Sequence, residues 1–135
     1  MSNGPEKRVE NKIKNALTER NIYFNKNFGG AFAPVGQPDI TGVLAPTGRF
    51  FAIEVKRKGS EGKPSGAQLR HLQAIAKSGG YAFISASPEV VPYMMALANH
   101  KKSDIKVQKV ELGEITPDSI KVWAKRTCDV MQIVA

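Results

Sequence analysis

Cysteine, histidine and acidic residues are all scarce in this 135-residue chain. Cys128 is the only cysteine, which excludes an internal disulfide. His71 and His100 are the only histidines, too few with one thiol for a zinc site of the usual ligand set. No apolar run approaches the roughly eighteen residues of a membrane-spanning helix. Met1–Arg8 has no apolar stretch resembling a signal peptide, so the expectation is a cytoplasmic protein without membrane contact. No internal repeat or low-complexity segment is visible. Only 12 acids stand against 20 Lys and Arg, a formal net charge of +8. A domain this basic favours a polyanionic partner, nucleic acid first, although many small soluble proteins are simply basic. The length suits one domain, 1–135, with a real core.

With so few acids, their placement carries information. Gly36-Gln37-Pro38-Asp39-Ile40 leads into an apolar run, Ile40–Ala45, that reads as a strand. Pro46-Thr47-Gly48 is a turn, and Arg49–Lys56 reads as a second strand. Side chains alternate along a strand, so Glu54 and Lys56 share one face while Phe51, Ile53 and Val55 share the other. A hairpin returns the end of the second strand to the start of the first, which puts Asp39 beside Glu54 and Lys56. Two carboxylates can hold a hard divalent cation, and an adjacent lysine can meet a phosphate or an attacking water.

Around this hairpin the pattern alternates helix and strand. Pro5–Arg20 is an expected helix with Val9, Ile13, Ala16 and Leu17 at helical spacing, and Glu10 borders that stripe. Ile22-Tyr23-Phe24 opens a strand running towards Phe28, and 29–36 is a loop. Arg57–Gly66 is a cationic loop rich in glycine. Ser65 is placed to cap a helix over Gly66–Ser78 that carries Gln68 on its apolar stripe. Tyr81–Ala86 is a buried strand, and a helix follows from Ser87 to about Asn99, with Pro92 set to delay or kink it. Lys106–Leu112 alternates like an edge strand, Thr116–Thr127 is an expected helix, and Val130–Ala135 is an apolar tail. The order implies an α/β fold with a mixed sheet flanked by helices, its acid strand joined to Tyr81–Ala86 by a parallel crossover.

Gly-x-Pro-Asp at 36–39, Glu-x-Lys at 54–56, the Gln68 helix and Gly79–Ile84 together resemble the PD-(D/E)xK nuclease superfamily. Within it, the stand-alone VRR-NUC (virus-type replication-repair nuclease) domain is the nearest pattern. The likeness spans roughly Glu6–Ala86, a nuclease core at 1–86, and leaves 87–135 as a helical and strand extension. It implies a restriction-endonuclease-like fold and a magnesium- or manganese-dependent endonuclease. Asp39 and Glu54 would be metal ligands, the Val55 carbonyl would complete the inner shell, and Glu10 would be the helix acid that reaches the metal. Lys56 would orient or activate water, and Gln68 would order Lys56 or a water. Arg57, Lys58, Lys63 and Arg70, beside the expected cleft, are candidate contacts to the nucleic-acid backbone. Family likeness further implies a bacterial or phage-infected cell, a branched DNA substrate such as a four-way junction, and a homodimer. Trp123 reads first as a core anchor, while its helix and the apolar tail Met131–Ala135 are candidate dimer elements.

Each residue also has a plainer reading. Asp39 suits a turn after proline, and Glu54 with Lys56 suits an exposed charge pair. Glu10 could pair with Lys14 at i+4, and Gln68 could bond within the start of its helix. His71 stands away from the Gln68 stripe as a bystander or phosphate contact. Two other functions compete: a general or restriction-like DNA nuclease, and a non-catalytic basic nucleic-acid-binding module.

Overall fold

The computed structural model describes residues 4–29, 31–59 and 62–135. Ser60 and Glu61, within the expected cationic loop, lie outside the described residues. The elements are α1 (Pro5–Glu19), β1 (Tyr23–Lys26), β2 (Ile40–Leu44), β3 (Arg49–Val55), α2 (Gly66–Lys77), β4 (Tyr81–Ser85), α3 (Val90–Ala98), β5 (Gln108–Glu111) and β6 (Val130–Val134). The strands form one mixed sheet in the order β1-β2-β3-β4-β6-β5. This is the expected α/β architecture, consistent with a restriction-endonuclease-like fold. β2 and β3 pair antiparallel as a hairpin, and β3 runs parallel to β4 across the α2 crossover.

Strand alternation divides the core into two layers. Phe51, Ile53 and Val55 pack with Phe83, Ile13, Leu17, Val91 and Met94, so α1 and α3 cover that face. Ala52, Ala82, Ile84, Met131 and Ile133 pack with Leu69 and Leu72, so α2 covers the other. Glu54 has the parity of Ala52 and therefore points to the α2 side. Asn21 ends α1 in the left-handed conformation, and the Ile22 N–H donates to the Leu17 carbonyl at 3.0 Å. Ser65 caps α2 as the sequence predicts.

The expected first strand is shorter than read, and α3 begins at Val90 rather than Ser87. The Ser87 hydroxyl accepts from the Glu89 N–H at 3.1 Å, closing a turn ahead of the helix. Pro92 then falls within the first helical turn, where a missing N–H breaks no helical bond.

The C-terminal third corrects two expectations. In place of a helix over Thr116–Thr127 there is a single 3-10 turn, Pro117–Lys121. Trp123, fully buried in the α2-side core, draws the chain inward after that turn. The apolar tail is β6, hydrogen-bonded between β4 and β5, with Met131 and Ile133 buried. Neither Trp123 nor these tail residues are open to a second copy. β6 is apolar because it is an interior strand.

Candidate active site

The sequence-predicted residues meet at one rim of the sheet. β3 and β4 end there, β2 starts there, and α1 and α2 turn their N-termini towards it. The hairpin register pairs Ile40 with Ile53, so one further step sets Asp39 opposite Glu54 and Pro38 opposite Val55. The Asp39 carbonyl accepts from the Asn27 N–H at 2.7 Å on the β1 side, so the groups of residue 38 face β3. Pro38 has no N–H, and the ladder stops there. The Val55 N–H donates instead to Asp39 Oδ2 at 2.7 Å, and the Pro38 carbonyl accepts from Asn27 Nδ2 at 2.8 Å. The Val55 carbonyl is thus left facing a residue that cannot donate to it. Pro38 frees one backbone oxygen and hands the neighbouring N–H to Asp39.

Glu54 is 2% exposed. Its Oε2 accepts from Gln68 Nε2 at 3.0 Å and lies 3.4 Å from Lys56 Nζ, while its buried Oε1 has no hydrogen-bond partner among the described residues. Burial, reinforced by the Asp39 charge, pushes its carboxyl up to about 8 despite the opposing Lys56 ammonium. Lys56 is itself buried, and its N–H extends the β3–β4 ladder by donating to the Ser85 carbonyl at 2.9 Å.

Gln68 serves two purposes. Its Oε1 accepts from the Ser65 N–H at 2.9 Å, and its own N–H donates to Ser65 Oγ at 3.1 Å, a complete capping box. Holding Oε1 in the cap turns Nε2 towards Glu54. The glutamine therefore orders Glu54, where Lys56 or a water was the expected partner. Gly36 explains how the Gly-x-Pro-Asp segment reaches this helix. Its φ is +80°, and a Cβ there would come within 2.5 Å of the Ala67 backbone and 2.7 Å of the Gln68 nitrogen.

Glu10 stands outside the Asp39–Glu54 pair. It is buried, with Oε1 2.6 Å from Lys26 and Oε2 2.8 Å from Lys7 and 3.3 Å from Lys14. Burial alone would raise its pKa, but hydrogen bonds from Lys26 and Lys7 reverse this and hold it at about 2. The i+4 partner Lys14 is real but is one of three. Lys26 also lies 3.6 Å from Asp39 Oδ1, so Glu10 reaches the site through Lys26.

Two residues absent from the sequence-based set belong to this cluster. Lys26 shares strand parity with Ile22 and Phe24, so it sits where alternation calls for an apolar side chain; that break was the available signal. Its ammonium loses hydration on burial, yet Glu10 and Asp39 together raise its pKa. Glu6 precedes Glu10 by one helical turn and feels the Lys56, Asp39, Lys26 and Arg57 charges. Loss of hydration against the protein raises its pKa, with Lys56 opposing and Asp39 adding to the shift.

The basic candidates divide. Arg57 lines a cleft with Glu6, Lys7 and Glu10. Lys58 points along the rim to Asp129 at 3.8 Å, and its carbonyl accepts from Arg126. Lys63 and Arg70 are exposed. His71 lines a different hollow, with Phe50, Ala74 and Ile75, towards the opposite end of β3.

Among the described residues, no three His, Cys, Asp or Glu side chains gather into a metal cluster. The donors that do converge still suit a hard divalent ion. Asp39 and Glu54 are two carboxylates, Glu54 Oε1 is unclaimed among the described residues, and the Val55 carbonyl faces Pro38, which has no N–H, across the hairpin. Magnesium characteristically takes one or two carboxylates and keeps several waters. Both Glu10 oxygens are already committed to ammonium groups. No family model matches the chain, and no curated protein or solved structure matches it either.

Proposed function

We propose that this chain is a magnesium- or manganese-dependent endonuclease that hydrolyses phosphodiester bonds in DNA, with branched DNA as its substrate. The observation that carries the reading is the buried Glu54 carboxylate, which faces Asp39 and leaves one oxygen without a hydrogen-bond partner among the described residues. A buried anion beside another anion is costly unless a cation joins them. Asp39, Glu54 and the Val55 carbonyl would hold that cation, whose chemistry is to lower the pKa of a bound water and offset charge on the phosphoryl oxygens.

The chain's own groups set up the rest. The Val55 N–H and Lys26 fix the two Asp39 oxygens, while Gln68, held by the helix cap, fixes Glu54. Lys56 presents a compact positive charge on the same side, suited to a phosphate oxygen or to the attacking water. Arg57, Lys63 and Arg70 would hold the backbone on either side. No base-reading module is recognisable in the sequence, which favours recognition of DNA shape. Cutting both strands of a junction takes two such sites, and a homodimer supplies them.

The test is to incubate the protein with a four-way junction and with a linear duplex of equal length, with and without magnesium. Junction cleavage only with metal is expected. Lys56→Ala should abolish cutting while leaving DNA binding intact. No metal-dependent cleavage of either DNA refutes the reading, and equal cleavage of both makes the enzyme a general nuclease.

A further inference from the structure

Half of the six phenylalanines are exposed, and two of these, Phe28 and Phe32, lie in the chain segment that leads from β1 to Asp39. Phe28 is 76% exposed and Phe32 fully exposed, with Val35 at 80% in the same β1–β2 connection. Phe28 directly follows Asn27, whose backbone and side chain hold the Pro38–Asp39 segment. A cleft of about 180 Å³ joins the two regions, with Phe28, Ala33 and Pro34 as its apolar side and Asp39, Gln37 and Gln68 as its polar side.

We infer that Phe28 and Phe32 are specificity-determining residues that stack on unpaired bases next to the phosphodiester held at Asp39 and Glu54. A strand whose phosphate sits at the carboxylates carries its sugar and base outward from them. On the Gln68 side of Asp39, the surface offered is the Phe28 wall of this cleft. Aromatic rings bind bases through their π faces, and in a uniform duplex those faces are covered by neighbouring base pairs. A site with one exposed ring in its cleft, Phe28, and a second, Phe32, free on the same connection therefore favours DNA whose bases are unpaired or splayed. Charge selects the same partner. Lys26, Lys56 and Arg57 crowd this rim, and a net charge of +8 attracts a polyanion. The inference rests on the nuclease reading for its choice of partner, and its test reads binding without cleavage.

Anisotropy titrations without divalent metal would compare a duplex containing an unpaired bubble with a fully paired duplex of equal length. A 2-aminopurine in the bubble would report stacking. Removing an aromatic platform costs roughly ten-fold in affinity per base, so Phe28→Ala with Phe32→Ala should weaken bubble binding by ten-fold or more. Paired-duplex binding should stay within about two-fold and the 2-aminopurine quenching should disappear, since phosphate contacts are untouched. Phe32→Trp should keep the bubble preference and Phe32→Leu should lose it, which separates stacking from mere apolar contact. Thermal denaturation of each variant checks folding. Unchanged bubble affinity in the double variant, equal losses on both DNAs, or full rescue by leucine overturns the inference. So does a wild-type dimer that becomes monomeric in the double variant, because the rings would then join two copies. A bubble preference without metal-dependent cleavage by the wild type would sink the nuclease reading alone. Cleavage that ignores both phenylalanines would sink this inference alone.

Discussion

Glu54→Gln isolates the proton that the metal-free site must hold. The Glu54 carboxyl has an ordinary pKa of 4.5 and is pushed up to about 8 by burial and by Asp39. Between those values the folded protein binds a proton that the unfolded chain has released. Stability must therefore fall as pH rises through that window, with a slope near 1.4 kcal/mol per pH unit and a ceiling of about 5 kcal/mol. Lys56 at 3.4 Å and water entering the ionised site will relieve part of this, so a fall of about 2–3 kcal/mol is expected between pH 5 and 8. For a chain of this length that is about 7–10 °C in Tm. Glutamine cannot titrate, so the Glu54→Gln profile should lack this component. The difference between the two profiles then cancels every other group. Thermal denaturation in chelator, read by circular dichroism, measures it. Added magnesium should raise the wild-type Tm more at pH 8 than at pH 6, because the ion must displace the proton, and should hardly affect the variant. Parallel wild-type and variant profiles from pH 5 to 8 would refute the assignment of that proton to Glu54.

Two further substitutions probe the supports. Gly36→Ala forces a Cβ into the first turn of α2 at a left-handed φ, so a loss of about 2–4 kcal/mol is expected; a loss below 1 kcal/mol in denaturant titration would mean the Gly36–Ala67 contact relaxes freely. Lys26→Met removes the link between Glu10 and Asp39 and should cost about 1–3 kcal/mol at pH 7. Glu10 has a lowered pKa, so its stabilisation is fully present above 4.5 and is lost as pH falls through about 2. The Lys26→Met deficit should shrink over that acid range, and a pH-independent deficit would show that packing rather than charge is lost.

The hairpin at the centre of the site was legible because its logic is local. Alternation separates Glu54 from Ile53, and a tight turn sets the register, so Asp39 had to arrive opposite Glu54. Gln68 was legible as a polar break in an apolar stripe, although only the cap geometry shows that its amide faces Glu54. Glu10 was harder. Its position on α1 and its partners Lys7 and Lys14 follow from helical spacing, but Lys26 does not, since it comes from a strand sixteen positions away. Spacing also could not weigh Glu6 against Glu10, because both lie on one helical face. Tertiary contact decides which acid the lysines hold. Val130–Val134 failed for a related reason. A short apolar run reads alike as a tail, an interface or a buried strand until its hydrogen-bond partners are known.

That last ambiguity bears on which part of the chain the proposed site needs in order to stand. The family-like pattern ends near Ala86, yet no physical boundary falls there. The N–H of Ala86 donates to the Asp129 carbonyl at 2.8 Å, and Ala82–Ser85 pair with Val130–Ile133. β4 is also the strand whose Ser85 carbonyl receives the Lys56 N–H. The backbone of the proposed catalytic lysine is thus pinned to β4, and β4 is pinned on its other side to the C-terminal strand. Arg126 adds a direct tie, donating to the Lys58 carbonyl while its guanidinium lies 4.2 Å over the Trp123 ring. Val90, Val91 and Met94 of α3 close the core beneath Phe51 and Phe83. Cutting the chain after residue 86 would strip one edge of β4 of its partners and uncover that core. The acids and the lysine are written in the first half of the sequence, but the second half supplies β4 and β6, which hold β3 in the sheet.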